Sequence, residues 1–157
     1  MIWLGSKLDH GTRFYTELPV KQVRMPKKIL YVEDNPDAIT FFNCIVHKLG
    51  DYHFKTTEDG ASAIKLLEQE KEFEPEMILL DINLPGMNGF EILQYVRNNT
   101  AYKHIPIIMF TSSDDDNDIK KSYEFGANAY LIKPGSLNSM KEILSATFNF
   151  WLKHNVA

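Results

Sequence analysis

Residues 77–89 read MILLDINLPGMNG. The first half, Met77 to Ile82, is apolar apart from Asp81, and a run so short and so apolar suits a strand covered on both faces, as in a parallel sheet. The second half, Leu84 to Gly89, is rich in turn formers. A helix is predicted to follow from Phe90 to Arg97. The stretch therefore reads as strand, carboxylate, tight loop, helix.

The same order recurs on both sides of it. Upstream, Lys28 to Glu33 carries Ile29, Leu30, Tyr31 and Val32 and ends in Glu33 and Asp34. Asn35 and Pro36 then read as an N-cap and a first helical residue. Ile39, Phe42, Ile45, Val46 and Leu49 follow at helical spacing, with Gly50 placed to end the helix. Tyr52 to Thr57 is a poorer strand candidate whose polar content suits a sheet edge, and a helix is predicted from Ala61 to Glu70. Downstream, Ile105 to Phe110 reads as a strand ending at Thr111, and Asp115 to Phe125 as a helix before Gly126. Ala129 to Ile132 is the last strand, ending at Lys133 and Pro134, and Leu137 to His154 the last helix.

Five strands alternating with five helices make a doubly wound α/β domain. In such folds the site lies beyond the carboxyl ends of the strands. Those ends carry Glu33, Asp34, Asp81, Thr111 and Lys133. Three carboxylates meeting in one crevice repel one another unless a pKa rises or a cation binds. Oxygen ligands of this hardness suit Mg2+, which accepts one or two protein carboxylates beside waters and a phosphate. Lys133 can offset a further charge or act as a point charge for a phosphoryl group. With the Thr111 hydroxyl on one oxygen, Lys133 on a second and a metal on the third, a transferring phosphoryl group would be fully partnered. Asp81 is then the candidate nucleophile, forming an aspartyl phosphate.

Composition narrows the alternatives. The 157 residues hold 44% apolar and 24% charged side chains, the balance of one globular domain. The net charge of −4 is unevenly spread. Residues 1–28 carry six basic side chains against Asp9 and Glu17, a net of +4, while the remainder carries 11 basic against 19 acidic, a net of −8. So acidic a body repels a phosphate backbone, which argues against nucleic acid as a partner. A single cysteine, Cys44, excludes a disulfide scaffold or zinc finger and reads as core or inert. No apolar run is long enough for a membrane span, and a cytoplasmic location is expected. His10, His47, His53, His104 and His154 are scattered, with no two on one helical face, and read as surface residues.

The segment Ile29 to Lys141, with ILYVEDN, LLDINLPGMNG, IIMFTSS and AYLIKP in this order, resembles the receiver domain of two-component response regulators. That resemblance implies a flavodoxin-like fold with strand order 2-1-3-4-5. It implies that Asp81 accepts a phosphoryl group from a sensor histidine kinase, that Glu33, Asp34, Asp81 and the backbone carbonyl of Asn83 hold Mg2+, and that Thr111 and Lys133 bind the phosphoryl group. Tyr130, three residues before Lys133, would be the switch aromatic, moving into space vacated as Thr111 is drawn inward. Ser113 and Asn83, each two residues past a site residue, would tune hydrolysis of the acyl phosphate. No enzymatic activity beyond self-phosphorylation and autodephosphorylation is implied.

Residues 1–25 match nothing in this pattern and read as an N-terminal leader, expected to be disordered, with the receiver over 26–157. With only the last helix after Pro134, a stand-alone receiver signalling through phosphorylation-dependent protein contacts is expected. A phosphorelay shuttle to a histidine phosphotransfer protein, or a phosphate sink, would use the same residues. A small phosphatase of the haloacid dehalogenase type also uses an aspartyl nucleophile, but wants a second aspartate where Asn83 stands. In the last helix Met140, Ile143, Leu144, Thr147, Phe148 and Trp151 form one core-facing stripe, with Phe150 and Leu152 off it. That rim is a candidate contact for a homodimer mate, a kinase or a downstream target, together with the preceding helix and strand.

Overall fold

The computed structural model describes residues 2–6, 12–16 and 25–154, with side chains described for 25–154. Strand β1 (Ile2–Ser6) pairs antiparallel with β2 (Thr12–Thr16), so a two-stranded ribbon lies within the segment expected to be disordered. Residues 1, 7–11 and 17–24, on which that expectation also bears, lie outside the described residues, as do 155–157.

The main sheet is built from β3 (Lys27–Val32), β4 (Tyr52–Thr57), β5 (Met77–Leu80), β6 (Ile107–Thr111) and β7 (Ala129–Ile132). All its pairings are parallel, in the spatial order β4-β3-β5-β6-β7. Counting these five alone in chain order gives 2-1-3-4-5, the flavodoxin-like arrangement. Between them run α1 (Pro36–Leu49), α2 (Gly60–Gln69), α3 (Gly89–Asn98), α4 (Asp116–Glu124) and α5 (Leu137–Phe148).

Side chains alternate along a strand, so a doubly covered strand must be apolar at every position. Leu30, Val32, Ile78, Leu80, Ile107 and Met109 pack on one face with Ala63, Leu66 and Leu67 of α2 and Ile92, Leu93 and Val96 of α3. Ile29, Tyr31, Met77, Leu79, Ile108 and Phe110 pack on the other with Phe42, Ile45 and Val46 of α1 and Met140, Leu144 and Phe148 of α5. The weak strand, β4, takes one edge, as its polar residues require.

The helix starts follow from their capping residues. Asn35 accepts from the amides of Asp37 and Ala38, with Pro36 at the first position. Asn88 and Glu91 form a reciprocal capping box at α3. Asp115 caps α4 and Asp116 and Asp118 lie in its first turn, where negative charge is favourable, which accounts for part of the acidic run 114–118. Pro106 shortens the fourth sheet strand relative to its apolar run: it has no N–H for the ladder, and pairing begins at Ile107.

Two expectations are corrected. Cys44 is exposed on α1 rather than buried in the core. Leu152 is buried against the α1/α5 cluster, although the α-helical phase points it outward. The physical reason is a π-helical turn over Asn149–His154 that continues α5. Its i→i+5 bonding slows the rotation per residue and swings Leu152 back onto the buried stripe, leaving Phe150 56% exposed.

Candidate functional site

The sheet order reverses between β3 and β5, and in sheets of this kind the ligand crevice lies beyond the carboxyl ends at that point. Glu33 follows β3 directly and Asp81 follows β5, so two carboxylates flank that crevice on adjacent strands. Thr111 is the last residue of β6, and Lys133 follows β7 with its N–H bonded to the Thr111 carbonyl at 2.7 Å. The topology thus brings together the strand-end residues singled out in the sequence.

Glu33 is 1% and Asp81 5% exposed, whereas Asp34 is open to solvent. Glu33, Asp34 and Asp81 each offer a carboxylate oxygen, and the three lie within 4.8 Å of one another. Among the described residues this is the one cluster of three or more acidic, histidine or cysteine ligands. The Lys133 ammonium lies 2.5 Å from Asp81 Oδ2 and also donates to Glu33 Oε2. One cation therefore ties two buried carboxylates together, leaving the four-residue group with a formal charge of −2. Such a cluster of hard oxygen donors with uncompensated negative charge fits a divalent cation such as Mg2+, with Glu33, Asp34 and Asp81 as the side chains to hold it.

The other oxygens are fixed by the backbone. Asp81 Oδ1 accepts from the Ile82 N–H at 2.6 Å and from the Asn83 N–H at 3.4 Å. Glu33 Oε1 accepts from the Asn35 N–H at 3.1 Å. Gly89 makes this packing possible: a Cβ there would sit 2.1 Å from the Asp81 carbonyl oxygen, while its N–H donates to Ile82 O at 2.9 Å. The loop between them turns at Gly86, whose φ of +74° favours glycine.

Thr111 is fully buried, and its hydroxyl oxygen accepts from the Ser113 N–H at 3.4 Å. The Tyr130 hydroxyl donates to the Ser113 carbonyl at 3.0 Å. Burial raises the Tyr130 phenol above its ordinary range, the nearby Ser113 side chain pulls the other way, and the Asp118 and Asp81 charges add to the rise. Ser113 itself donates to Asp118 Oδ2 at 2.7 Å, so the loop after β6 is tied both to β7 and to α4.

Sequence reading missed Tyr31, which it treated only as a strand residue. Its side chain is fully buried, and its hydroxyl donates to Glu33 Oε2 at 2.7 Å. Burial first, and the adjacent Glu33 carboxylate second, push this phenol far above its ordinary value, so it is a neutral donor. The available clue was spacing, since residues two apart on a strand share a face.

The four scattered histidines among the described residues, His47, His53, His104 and His154, are exposed and away from the cluster. None of the described helices is long and apolar enough to cross a membrane.

Residues 29–145 match the family described as response regulator receiver domain. Response regulator Rcp1 of Synechocystis is 34% identical over 133 residues, covering 82% of this chain and 90% of that protein. Among solved structures, the phosphorylated cyanobacterial phytochrome response regulator RcpA superposes with a TM-score of 0.77 at 31% identity, covering 83% of this chain and 97% of that one. The Mn2+-bound form of Rcp1 gives a TM-score of 0.75 at 32% identity, covering 83% and 98%.

Proposed function

Because this chain belongs to the response regulator receiver family, we propose that it takes a phosphoryl group from a sensor histidine kinase onto Asp81 and signals in the cytoplasm by phosphorylation-dependent protein contacts. The observation that carries this reading is the bridge from Lys133 to the two buried carboxylates, Glu33 and Asp81, at the point where the strand order reverses. A lysine so placed can leave the carboxylates for a phosphoryl oxygen without crossing the site.

Glu33, Asp34, Asp81 and the backbone carbonyl of Asn83 are the groups assigned to Mg2+. The divalent ions in related structures, such as Mn2+ in Rcp1, favour this assignment. Bound there, the metal supplies positive charge to the oxygens of the transferring group.

The two backbone N–H groups on Oδ1 orient the Asp81 carboxylate and leave Oδ2 to attack phosphorus. A P–O bond forms as the P–N bond of the phosphohistidine breaks, its electron pair passing to the imidazole nitrogen. Lys133 donates to one phosphoryl oxygen. The Thr111 hydroxyl, whose oxygen already accepts from Ser113, donates its proton to a second. Water attack on phosphorus later restores the carboxylate and releases inorganic phosphate, so the chemistry stays on this protein's own aspartate. Tyr130 reads out the change, since drawing Thr111 and its loop toward the phosphoryl group strains the hydrogen bond to the Ser113 carbonyl. Tyr123, Ile132, Leu137 and Phe150, all about half exposed, offer apolar contact surface for a kinase, a target or a second copy.

Incubation with Mg2+ and acetyl phosphate tests the reading by phosphate-affinity electrophoresis. The wild type is expected to give a labile shifted band that Asp81→Asn lacks. No band with the wild type, or an equal band with the variant, overturns it.

A further inference from the structure

Glu33 Oε2 is shared by two donors from opposite sides of the site: the Lys133 ammonium, which arrives from β7, and the Tyr31 hydroxyl, which arrives from within β3. The two differ in what they can do. Lys133 is a flexible side chain whose other partner is Asp81, and on the reading above it departs when Asp81 is phosphorylated. Tyr31 cannot depart. Its ring is fully buried, 4.4 Å from the Phe42 ring centroid and 6.2 Å from that of Phe110. It projects from β3 into the buried cluster that includes residues of α1 and α5, and its hydroxyl meets Glu33.

A carboxylate that is 1% exposed cannot fall back on water when a donor leaves. Without Tyr31, Oε2 would lose its only remaining side-chain donor at the moment Lys133 moved, and the carboxylate would be free to swing.

We propose that Tyr31 is a positioning residue for the acidic cluster: its hydroxyl holds the Glu33 carboxylate in ligand geometry independently of Lys133, so that divalent-ion binding survives phosphorylation of Asp81. The inference rests on the metal and phosphoryl reading of this site. It adds a residue that touches neither metal nor phosphorus and acts through Glu33, in the way groups behind a metal ligand fix its orientation.

The test is Tyr31→Phe in the full chain, which removes one oxygen and keeps the ring. Titration calorimetry with Mn2+ is expected to show affinity weakened about tenfold relative to wild type, the lower end of what loss of a group behind a ligand costs. The loss should be larger still in a Lys133→Met background, where Tyr31 is the remaining donor to Oε2. Urea unfolding in chelator, run in parallel, separates this from a folding defect. Unchanged Mn2+ affinity in a folded Tyr31→Phe protein overturns the proposal while leaving the site reading intact. Failure of the wild type to bind Mn2+ overturns both. Should the variant not fold, the wild type decides the matter. Its Tyr31 hydroxyl proton is expected as a slowly exchanging downfield NMR resonance that persists when Mg2+ and beryllofluoride are added, and its disappearance on that addition overturns the proposal.

Discussion

The Lys133 ammonium and Asp81 Oδ2 are 2.5 Å apart although 52 residues separate them in the chain, and the same ammonium reaches Glu33. With side-chain exposures of 12%, 6% and 1% for Lys133, Asp81 and Glu33, this is a buried charge group. Removing one member costs more than the bridge itself contributes, because the partners remain charged and dry.

Lys133→Met is therefore expected to destabilise the protein by about 3 kcal/mol in chelator, the loss typical of a broken buried pair. A divalent cation can replace the missing charge. Millimolar Mg2+ should then stabilise the variant by more than it stabilises the wild type. Urea unfolding of both proteins with Mg2+ or EDTA measures this, and equal Mg2+ stabilisation in the two would contradict it.

Gly86 in the loop after β5 and Gly89 at the start of α3 should respond differently to alanine. At Gly89 a Cβ would lie 2.1 Å from the Asp81 carbonyl oxygen and 2.9 Å from Ile82 Cα, so backbone must move. At Gly86 nothing lies within 4 Å, and the cost is the positive φ alone. Gly86→Ala should lose about 1 kcal/mol, and Gly89→Ala about 3 kcal/mol or more, at the upper end for overpacking. Gly89→Ala should also slow phosphorylation by acetyl phosphate, because it displaces the residue that carries the acceptor. Similar losses at both positions would sink the packing argument.

Asp59 caps α2 and accepts from both the N–H and the hydroxyl of Ser62, and these bonds hold its carboxyl below the ordinary value of 3.8. A carboxyl with a depressed folded pKa contributes stability that is present above 3.8 and lost as pH falls through the folded value. Asp59→Asn keeps the capping acceptor but cannot titrate. The difference in unfolding free energy between wild type and Asp59→Asn should be constant near neutrality and shift in favour of the variant below about pH 4. Parallel stability curves down to pH 3 would be the contrary outcome.

Legibility in the sequence followed covering. The inner strands could be read because burial on both faces leaves a continuous apolar signature, and the strand-end residues could be read because the topology of such sheets has one place for a site. That reasoning singles out Glu33, Asp34, Asp81, Thr111 and Lys133, all of which lie at or just past the carboxyl ends of the strands. Tyr31 escaped because its ring satisfies the core pattern completely, so nothing in an apolar run marks the hydroxyl as useful. Ser113 was noted only for its position after Thr111. Its bonds to Asp118 and Tyr130 depend on how α4 and β7 sit, which local pattern does not encode. Cys44 was misplaced because it falls inside an amphipathic run yet lies on the outward side of α1.

The end of α5 gives the sharpest separation between helical phase and observed packing. An uninterrupted α-helix turns by 100° per residue, which carries Leu152 outside the stripe set by Met140, Leu144 and Phe148. The π-helical turn over Asn149–His154 slows that rotation and leaves Leu152 5% exposed in the α1/α5 cluster and Phe150 56% exposed. The two readings differ in the cost of truncating Leu152. With the π turn, Leu152→Ala should destabilise by about 2–3 kcal/mol, as for a buried leucine, and Phe150→Ala by no more than about 0.5 kcal/mol, as for a surface change. With a continued α-helix both side chains would lie off the stripe, and Leu152→Ala would cost as little as Phe150→Ala. Urea denaturation of the two variants decides it, and the same pair bears on partner binding. If Phe150 belongs to a contact surface, Phe150→Ala should leave stability untouched yet weaken self-association or kinase binding in sedimentation or phosphotransfer assays. Leu152→Ala should do the reverse, losing stability through the cavity it leaves beside Phe148 rather than through any lost partner.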